Sequence, residues 1–200
     1  MLLHEQLASW HLLLASQSPR RRELMSGCGI PYELAPRYEC EESYPESLPA
    51  EEVPAYLSQL KSEAYPAPLA ANDLLLTADT VVILNGRVLG KPHDREEAMA
   101  MLRDLSGNRH TVITGVTLRS QGRIHTFSVG SDVWFRALSD EEIAYYIDTY
   151  HPFDKAGSYG IQGRFSRWIR GINGCYFNVV GLPVNALNRL FFEVTGEYLK

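Results

Sequence analysis

Residues 12–25 read LLLASQSPRRRELM and predict a buried strand that leads directly into a helix. The apolar run at residues 12–15 is typical of a buried strand. Ser18 suits the N-cap position, because its hydroxyl can accept a hydrogen bond from an unpaired backbone N–H. Pro19 suits the first helical position, because it has no N–H to leave unpaired and its φ angle is already helical. The chain therefore changes from strand to helix at residues 16–19.

Three arginines, Arg20, Arg21 and Arg22, fill the first turn of this predicted helix. A helix N-terminus carries partial positive charge, so three cations there are unfavourable unless an anion docks beside them. Backbone N–H groups, the hydroxyls of Ser16 and Ser18, and the guanidinium groups would together make a phosphate cradle. A solvent-exposed basic helix start is the alternative. No G-x-x-x-x-G-K-[ST] motif occurs in the chain, which excludes a P-loop.

The composition is typical of a globular protein with a modest negative charge. Of the 200 residues, 45% are hydrophobic and 22% are charged, which is enough for one good core or two small lobes. The chain has 24 acidic and 19 basic residues, and its net charge of −5 argues against general nucleic-acid binding. A local basic pocket for one small polyanion remains compatible with this balance.

Cysteine spacing and hydropathy indicate the compartment. Cys28, Cys40 and Cys175 are widely spaced and form no C-x-x-C motif, so neither a zinc site nor a disulfide framework is indicated. The first ten residues, MLLHEQLASW, resemble no secretory signal, and no apolar run approaches the roughly 18 residues of a membrane helix. We therefore expect a soluble cytoplasmic protein that binds neither nucleic acid nor membranes. The first ten residues have no assigned role.

A second apolar run, residues 74–84, has the strongest strand pattern in the sequence and carries Asp79 in its middle. A carboxylate among apolar neighbours is costly to bury unless a partner pairs with it. Asp79 is therefore either bonded to backbone N–H groups, or it is a metal ligand or general base. Asn85 and Gly86 then predict a type I′ hairpin turn, after which the chain could bring Lys91 back towards Asp79.

Three further segments carry candidate site residues. The acidic segment at residues 39–46 is either a solvated loop or the source of a metal-binding carboxylate, for which Glu42 is the candidate. A helix predicted at residues 51–64 carries Lys61 near its C-terminus, where the helix dipole alone favours a lysine. The glycine-rich residues 154–163 lack the flanking elements of a dinucleotide fingerprint. Gln162 in that segment either reads a base edge or faces solvent.

The remaining elements predict a mixed sheet with flanking helices, because strands and helices interleave but several strands are joined as hairpins. Helices are predicted after Asp94, from Ser139 to about residue 150, and over residues 183–194. Ser139 and Glu142 form a capping-box pattern at the start of the second of these helices. Strands are predicted over residues 111–118 and 124–138. A turn at Asn173-Gly174 is predicted to join the last two strands, at residues 168–169 and 175–180.

The charged candidates together describe a phosphate site. They comprise four cations and two carboxylates: Arg20, Arg21, Lys61, Lys91, Glu42 and Asp79. Carboxylates beside phosphate-binding cations suit a hard Mg²⁺ or Mn²⁺ ion shared with substrate oxygens. No Cys-His or Ser-His-Asp grouping suggests a covalent nucleophile. The residues themselves therefore predict metal-assisted attack on a phosphoanhydride.

Six sequence motifs follow one another along the chain: SQSPRR at 16–21, ADTVV at 78–82, GKP at 90–92, LSGNRH at 105–110, DKAGSYGIQG at 154–163 and VGLP at 180–183. Together they resemble the Maf family of nucleoside triphosphate pyrophosphatases over nearly the whole chain. The resemblance implies a single α/β domain over residues 1–200, similar to the inosine triphosphate pyrophosphatases. It also implies a strongly twisted mixed sheet, with two lobes around a cleft.

The resemblance further implies hydrolysis of a nucleoside triphosphate to the monophosphate and pyrophosphate, by water attack at the α-phosphorus. Asp79 would be the general base and would bind the metal together with Glu42. Phosphate binding would fall to Ser16, Arg21, Lys61 and Lys91. Substrate choice would fall to Arg20, Thr80 and Gln162. The implied cofactor is a divalent cation, magnesium or manganese, with cobalt as a further candidate.

The motif forms resemble the branch of the family that prefers dTTP and UTP, so modified pyrimidine nucleotides are further candidate substrates. A related branch acts on 7-methyl-GTP and is the weaker alternative. A different class of function is a nucleotide-binding regulator of septum formation with little turnover. A homodimer is an expectation of the resemblance.

Overall fold

The computed structural model describes residues 5 and 7–195, and within them seven strands form one sheet. The strands are β1 (His11–Leu14), β2 (Glu33–Leu34), β3 (Asp73–Leu84), β4 (Arg87–Leu89), β5 (Arg109–Ser120), β6 (Arg123–Phe135) and β7 (Ile169–Asn173). Their order is β2-β1-β3-β5-β6-β7, and β4 pairs with β3. The first ten residues, which have no predicted role, lie partly outside the described chain.

Helices follow β1, β2, β4, β6 and β7 along the chain. The α-helices of the described residues are α1 (Pro19–Gly27), α2 (Val53–Glu63), α3 (Arg95–Leu105), α4 (Asp140–Tyr150), α5 (Tyr176–Val180) and α6 (Val184–Thr195). Strand β1 runs parallel to β2 and β3, whereas β3–β4 and β6–β7 are antiparallel pairs. The predicted mixed sheet with flanking helices is therefore confirmed.

The strand-to-helix turn forms where the sequence predicts it, but with a different hydroxyl. Ser18 is the N-cap of α1, yet its side chain accepts no capping hydrogen bond, so the predicted role of its hydroxyl is wrong. The backbone N–H of Ser18 instead donates to Ser16 Oγ at 3.3 Å. Ser16 thus replaces Ser18 as the hydroxyl acceptor within the turn.

Two local predictions are confirmed, one by backbone angles and one by side-chain hydrogen bonds. Asn85 and Gly86 have φ angles of 52° and 75°, and a type I′ turn requires positive φ at both positions. Ser139 Oγ accepts from the N–H of Glu142, while the Glu142 side chain accepts from the N–H of Ser139. This capping box fixes the start of α4.

The predicted strand at residues 175–180 is wrong, because Tyr176–Val180 is a short helix. Buried polar contacts replace strand pairing there. The Asn178 amide donates to Val112 O and to Ser131 Oγ, each at 3.0 Å, and Ser131 Oγ also accepts from the N–H of Cys175. A short apolar run fits a buried helix as well as a strand, so periodicity alone could not separate the two.

The chain divides into two compact units. The first extends to Asp79 and includes Thr114–Val129 and the chain from Gly181 onwards. Within it, Leu13 and Leu75 from neighbouring strands pack on Tyr65 to form a buried cluster. This cluster packs around Leu75, which precedes Asp79 by four residues on β3.

The second unit comprises Thr80–Ile113 and Gly130–Val180. Its core is aromatic: Phe135, Phe165 and Trp168 are each at most 1% exposed, and the Phe165 ring lies 5.0 Å from the Trp168 ring. His110 and Tyr159 complete this cluster, with His110 Nε2 2.7 Å from the Tyr159 hydroxyl. A histidine is therefore enclosed in an apolar, aromatic environment.

Burial of His110 predicts acid sensitivity. Desolvation lowers the pKa of His110 from 6.5 to about 4, against a smaller opposing effect of the Asp132 carboxylate. The unfolded chain takes up a proton at this histidine below about pH 6.5 and the folded chain does not, so stability falls as pH falls towards 4. The expected loss reaches about 3 kcal/mol. Urea unfolding between pH 7 and 4 measures it.

The control for this prediction is His110→Gln, which cannot take up the proton. Its free energy of unfolding should change with pH by about 3 kcal/mol less than that of the wild type over the same interval. His11 changes stability with pH in the opposite direction, because its contacts with Glu33 and Asp73 raise its pKa. Its contribution to the free energy of unfolding is the same in the wild type and in the variant. Equal pH dependence of the two proteins would contradict the role given to His110.

The structure also describes the state of the cysteines and the lengths of the helices. The three cysteines are free thiols. Within residues 5 and 7–195, no helix has both the length and the apolar character needed to cross a membrane.

Candidate active site

Arg21 is fixed at the start of α1 by two acceptors. Its Nε donates to Gly181 O at 2.8 Å, and its Nη1 donates to Ser16 Oγ at 3.3 Å. Burial lowers the pKa of Arg21, the carboxylates of Asp79 and Glu42 oppose that change, and Arg20 adds to it. A guanidinium group remains a cation in proteins despite such a shift. The N-terminal turn of α1 therefore presents an oriented, permanently charged group close to two carboxylates.

Asp79 reaches the site from the middle of β3. Residues 74–79 of this strand are all buried, and Asp79 itself is 8% exposed. Its Oδ1 accepts from Lys61 Nζ at 2.6 Å, so a lysine supplies the partner that burial of a carboxylate requires. Among the described residues, the partner seen here is thus a lysine side chain and not the backbone N–H groups that the sequence offered as one interpretation.

Lys61 bridges two carboxylates. Besides Asp79, its Nζ contacts Glu42 Oε2 at 2.9 Å, and the Lys61 side chain is only 16% exposed. Lys61 also lies in the last turn of α2, where the helix dipole favours it. Glu42 lies within the acidic segment at residues 39–46, is half exposed and contributes the second carboxylate that contacts Lys61.

Helix α2 is held against the sheet by contacts that set the position of Lys61. Thr77 Oγ1 donates to Ser58 O at 2.6 Å, and Ser58 Oγ lies 2.9 Å from Thr117 Oγ1. Thr77 and Asp79 are two residues apart on one face of β3, while Ser58 and Lys61 are three residues apart on one face of α2. The same strand therefore anchors the helix and receives its lysine.

The carboxylate pair fits a metal ion that is shared with substrate. Within the described residues, no group of three or more His, Cys, Asp or Glu side chains is placed to hold a metal. Glu42 and Asp79 nevertheless converge on one cation, the Lys61 ammonium. Magnesium commonly takes one or two carboxylates and completes its shell with waters and substrate phosphates. The donor set suits such an ion and lacks the ligands of a closed protein cage.

Three other candidates belong to the second unit, on separate elements. Thr80 follows Asp79 on β3 and is half-buried, while Lys91 is exposed in the loop after β4. Gln162 is exposed and lines a pocket of about 500 Å³. Within the described chain, no hydrogen bond joins Lys91 to Gln162. Arg20, in the first unit, is half-buried beside Arg21 at the start of α1.

Comparison with known proteins identifies the family. Residues 11–194 match the family model described as Maf-like protein. The chain belongs to the Maf family. It is 51% identical over 188 residues to the dTTP/UTP pyrophosphatase of Phocaeicola vulgatus, covering 92% of this chain and 95% of that protein.

More distant relatives extend the comparison. The dTTP/UTP pyrophosphatase of Carboxydothermus hydrogenoformans is 49% identical over 180 residues, covering 89% of this chain and 95% of the relative. Among solved structures, the Ham1 protein of Staphylococcus aureus is similar at 16% identity with a TM-score of 0.48. That similarity covers 94% of this chain and 100% of the Ham1 chain.

The site of this Maf protein contains two groups that sequence analysis did not single out. The Tyr38 hydroxyl donates to Lys61 O at 2.6 Å, and burial, aided by the nearby Cys40 thiol, raises the pKa of Tyr38 to about 12. Tyr38 therefore stays a hydrogen-bond donor at neutral pH. Gly181, whose carbonyl orients Arg21, lies in the VGLP motif, so the motif signalled this position without indicating a role.

Proposed function

We propose that this Maf protein hydrolyses nucleoside triphosphates to the monophosphate and pyrophosphate, with dTTP and UTP as its preferred substrates. The observation that carries the proposal is the buried Asp79 carboxylate, which shares the Lys61 ammonium with Glu42 near the oriented Arg21. The names of the relatives at 45–51% identity support both the reaction and the choice of base. Modified pyrimidine nucleotides are further candidate substrates.

Asp79 acts as the general base in this proposal. Its carboxylate takes a proton from the water whose oxygen bonds to the α-phosphorus. The bond between the α-phosphorus and its bridging oxygen breaks, and pyrophosphate leaves with the electron pair. Burial of Asp79 on a rigid strand fixes the proton acceptor in one place, which is the contribution that positioning makes to such a step.

Cationic and hydroxyl side chains bind the phosphates. This role falls to Ser16, Arg21, Lys61 and Lys91. The hydrogen bond from Arg21 to Gly181 O supports it, because an oriented guanidinium offers a planar fork to phosphate oxygens. The choice of base falls to Arg20, Thr80 and Gln162, of which Gln162 lines a pocket large enough for a nucleobase.

Glu42 and Asp79 would hold the divalent cation, for which magnesium and manganese are the first candidates and cobalt a further one. When bound, such an ion neutralises phosphate charge and favours ionisation of the attacking water. The free thiols are consistent with a reducing compartment, and we propose the cytoplasm. A homodimer remains an expectation of the family resemblance.

Steady-state hydrolysis with Mg²⁺ or Mn²⁺ tests the proposal. The substrates are dTTP, UTP, CTP, GTP, ATP and 7-methyl-GTP, and the assay must resolve pyrophosphate from orthophosphate. We expect pyrophosphate, with the highest kcat/KM for dTTP and UTP, because specificity is expressed in that ratio. Orthophosphate would place the attack at a different phosphorus and contradict the proposal.

The same assay separates the alternatives. A higher kcat/KM for 7-methyl-GTP than for dTTP would assign the protein to the other branch. Nucleotide binding without turnover of any substrate would favour the regulator of septum formation over the enzyme.

A further inference from the structure

The Lys61 ammonium contacts both Glu42 and Asp79, as a metal ion held by the two carboxylates would. The contacts are to one oxygen of each carboxylate, at 2.9 Å and 2.6 Å. Magnesium binds oxygen ligands at about 2.1 Å, closer than either contact. A metal ion bound to the same two oxygens would therefore displace the ammonium.

We propose that Lys61 is a competitor for the metal site: it pairs with Glu42 and Asp79 in the metal-free protein and is released from them when a divalent cation binds. The released ammonium then binds the phosphates of the nucleotide, and this second part of the inference rests on the proposed function. The two contacts of Lys61 and its predicted role in phosphate binding then describe two states of one side chain.

Electrostatics favours this exchange. Two carboxylates and one ammonium leave a net charge of −1, whereas a divalent cation neutralises the pair completely. In metal-free protein, Lys61 reduces the repulsion between Glu42 and Asp79, which a half-buried site would otherwise have to accommodate. The lysine therefore stabilises the carboxylates in position and at the same time weakens metal binding.

The surroundings of Lys61 allow its ammonium to move while its backbone stays in place. The Lys61 carbonyl accepts from the Tyr38 hydroxyl at 2.6 Å, and the Ser58–Thr77 contact anchors the preceding turn of α2. The side chain itself is a flexible four-carbon stem that ends in a compact charge. Exchange between carboxylate and phosphate partners requires only new rotamers of this stem.

A consequence is that binding of the metal ion and binding of the nucleotide are coupled. Metal binding releases the ammonium for phosphate, and phosphate that binds the ammonium removes the competitor from the carboxylates. By linkage, each ligand must strengthen the binding of the other by the same factor. We therefore expect weak metal binding to the protein alone.

Manganese binding without nucleotide tests the inference, with free Mn²⁺ measured by electron paramagnetic resonance. Lys61→Met removes the competing charge and keeps most of the side-chain volume. We expect its dissociation constant for Mn²⁺ to be at least about tenfold lower than that of the wild type, because two unpaired carboxylates then face the ion. An unchanged or higher dissociation constant would overturn the inference.

Arg87→Met is the matched control. Arg87 Nη2 pairs with Asp104 Oδ2 at 2.6 Å on the exposed surface, so this variant also loses one positive charge and frees one carboxylate. Its Mn²⁺ affinity should equal that of the wild type. A tenfold gain in both variants would reflect net charge alone and would also overturn the inference.

A second measurement uses the wild-type protein and so does not depend on folding of the variant. The chain has only four lysines, Lys61, Lys91, Lys155 and Lys200, so selective ¹³C labelling gives four side-chain signals. We expect Mg²⁺ without nucleotide to shift the Lys61 signal saturably. A Lys61 signal that stays constant while Mg²⁺ binds would overturn the inference. Neither measurement involves turnover, so a failed competition and a failed hydrolase assignment give different results.

Discussion

Asp79→Asn is expected to lower kcat by at least about 100-fold, because an amide cannot take the proton from the attacking water. The change keeps the shape of the side chain, and Lys61 retains its contact with Glu42 at 2.9 Å. The fold should therefore survive. Steady-state pyrophosphate release from dTTP gives kcat, and thermal unfolding followed by circular dichroism reports on the fold.

Asp73→Asn is the matched control for this experiment. Asp73 lies at the start of the same strand, where its carboxylate accepts from the N–H of Ala70 and contacts His11, and it contacts none of the proposed site residues. Its kcat should stay within about twofold of the wild type, because Asp73 contacts none of the groups proposed to bind substrate or to move the proton. Wild-type turnover in Asp79→Asn would exclude this carboxylate as the general base.

Gly115→Ala is expected to destabilise the protein by about 3 kcal/mol, the upper end of the range for overpacking. Gly115 lies on β5, and a Cβ atom there would be 2.1 Å from Pro54 O and 2.4 Å from Ala55 N. These are backbone atoms of α2, so relief requires the helix to move away from the sheet. Because α2 carries Lys61, we also expect lower activity from the folded fraction.

Thermal unfolding measures the loss of stability in Gly115→Ala. For a chain of this size, about 3 kcal/mol corresponds to a fall in Tm of roughly 10 °C. Gly130→Ala on β6 is the control, since a Cβ atom there would meet nothing closer than 3.8 Å. Equal Tm values for the two variants would show that α2 does not pack directly on Gly115.

The sequence determined those parts of the fold whose cause is local. The strand-to-helix turn at residues 12–25, the Asn85-Gly86 turn and the Ser139–Glu142 capping box each depend on residues a few positions apart. Such patterns fix backbone geometry through hydrogen bonds and steric preferences within one turn. The same holds for the identity of the charged residues, which is visible without any structure.

Tertiary structure decided which of these residues meet. The hydroxyl acceptor at α1 is Ser16 rather than Ser18, and Ser16 also contacts the side chain of Arg21. Residues 176–180 form a helix in which Asn178 donates to Val112, which is 66 residues away. No local pattern carries that information, because the free energy of these buried hydrogen bonds depends on the partner that folding brings near.

The candidate site likewise combines features visible in the sequence with contacts that only the tertiary structure creates. Sequence singled out Glu42, Lys61 and Asp79 as charges, and the helix dipole alone explained Lys61. Only folding places one ammonium within 2.9 Å of two carboxylates that are 37 residues apart, on a loop and a strand. The pairing follows from burial, because a carboxylate removed from water needs a partner wherever in the chain that partner lies.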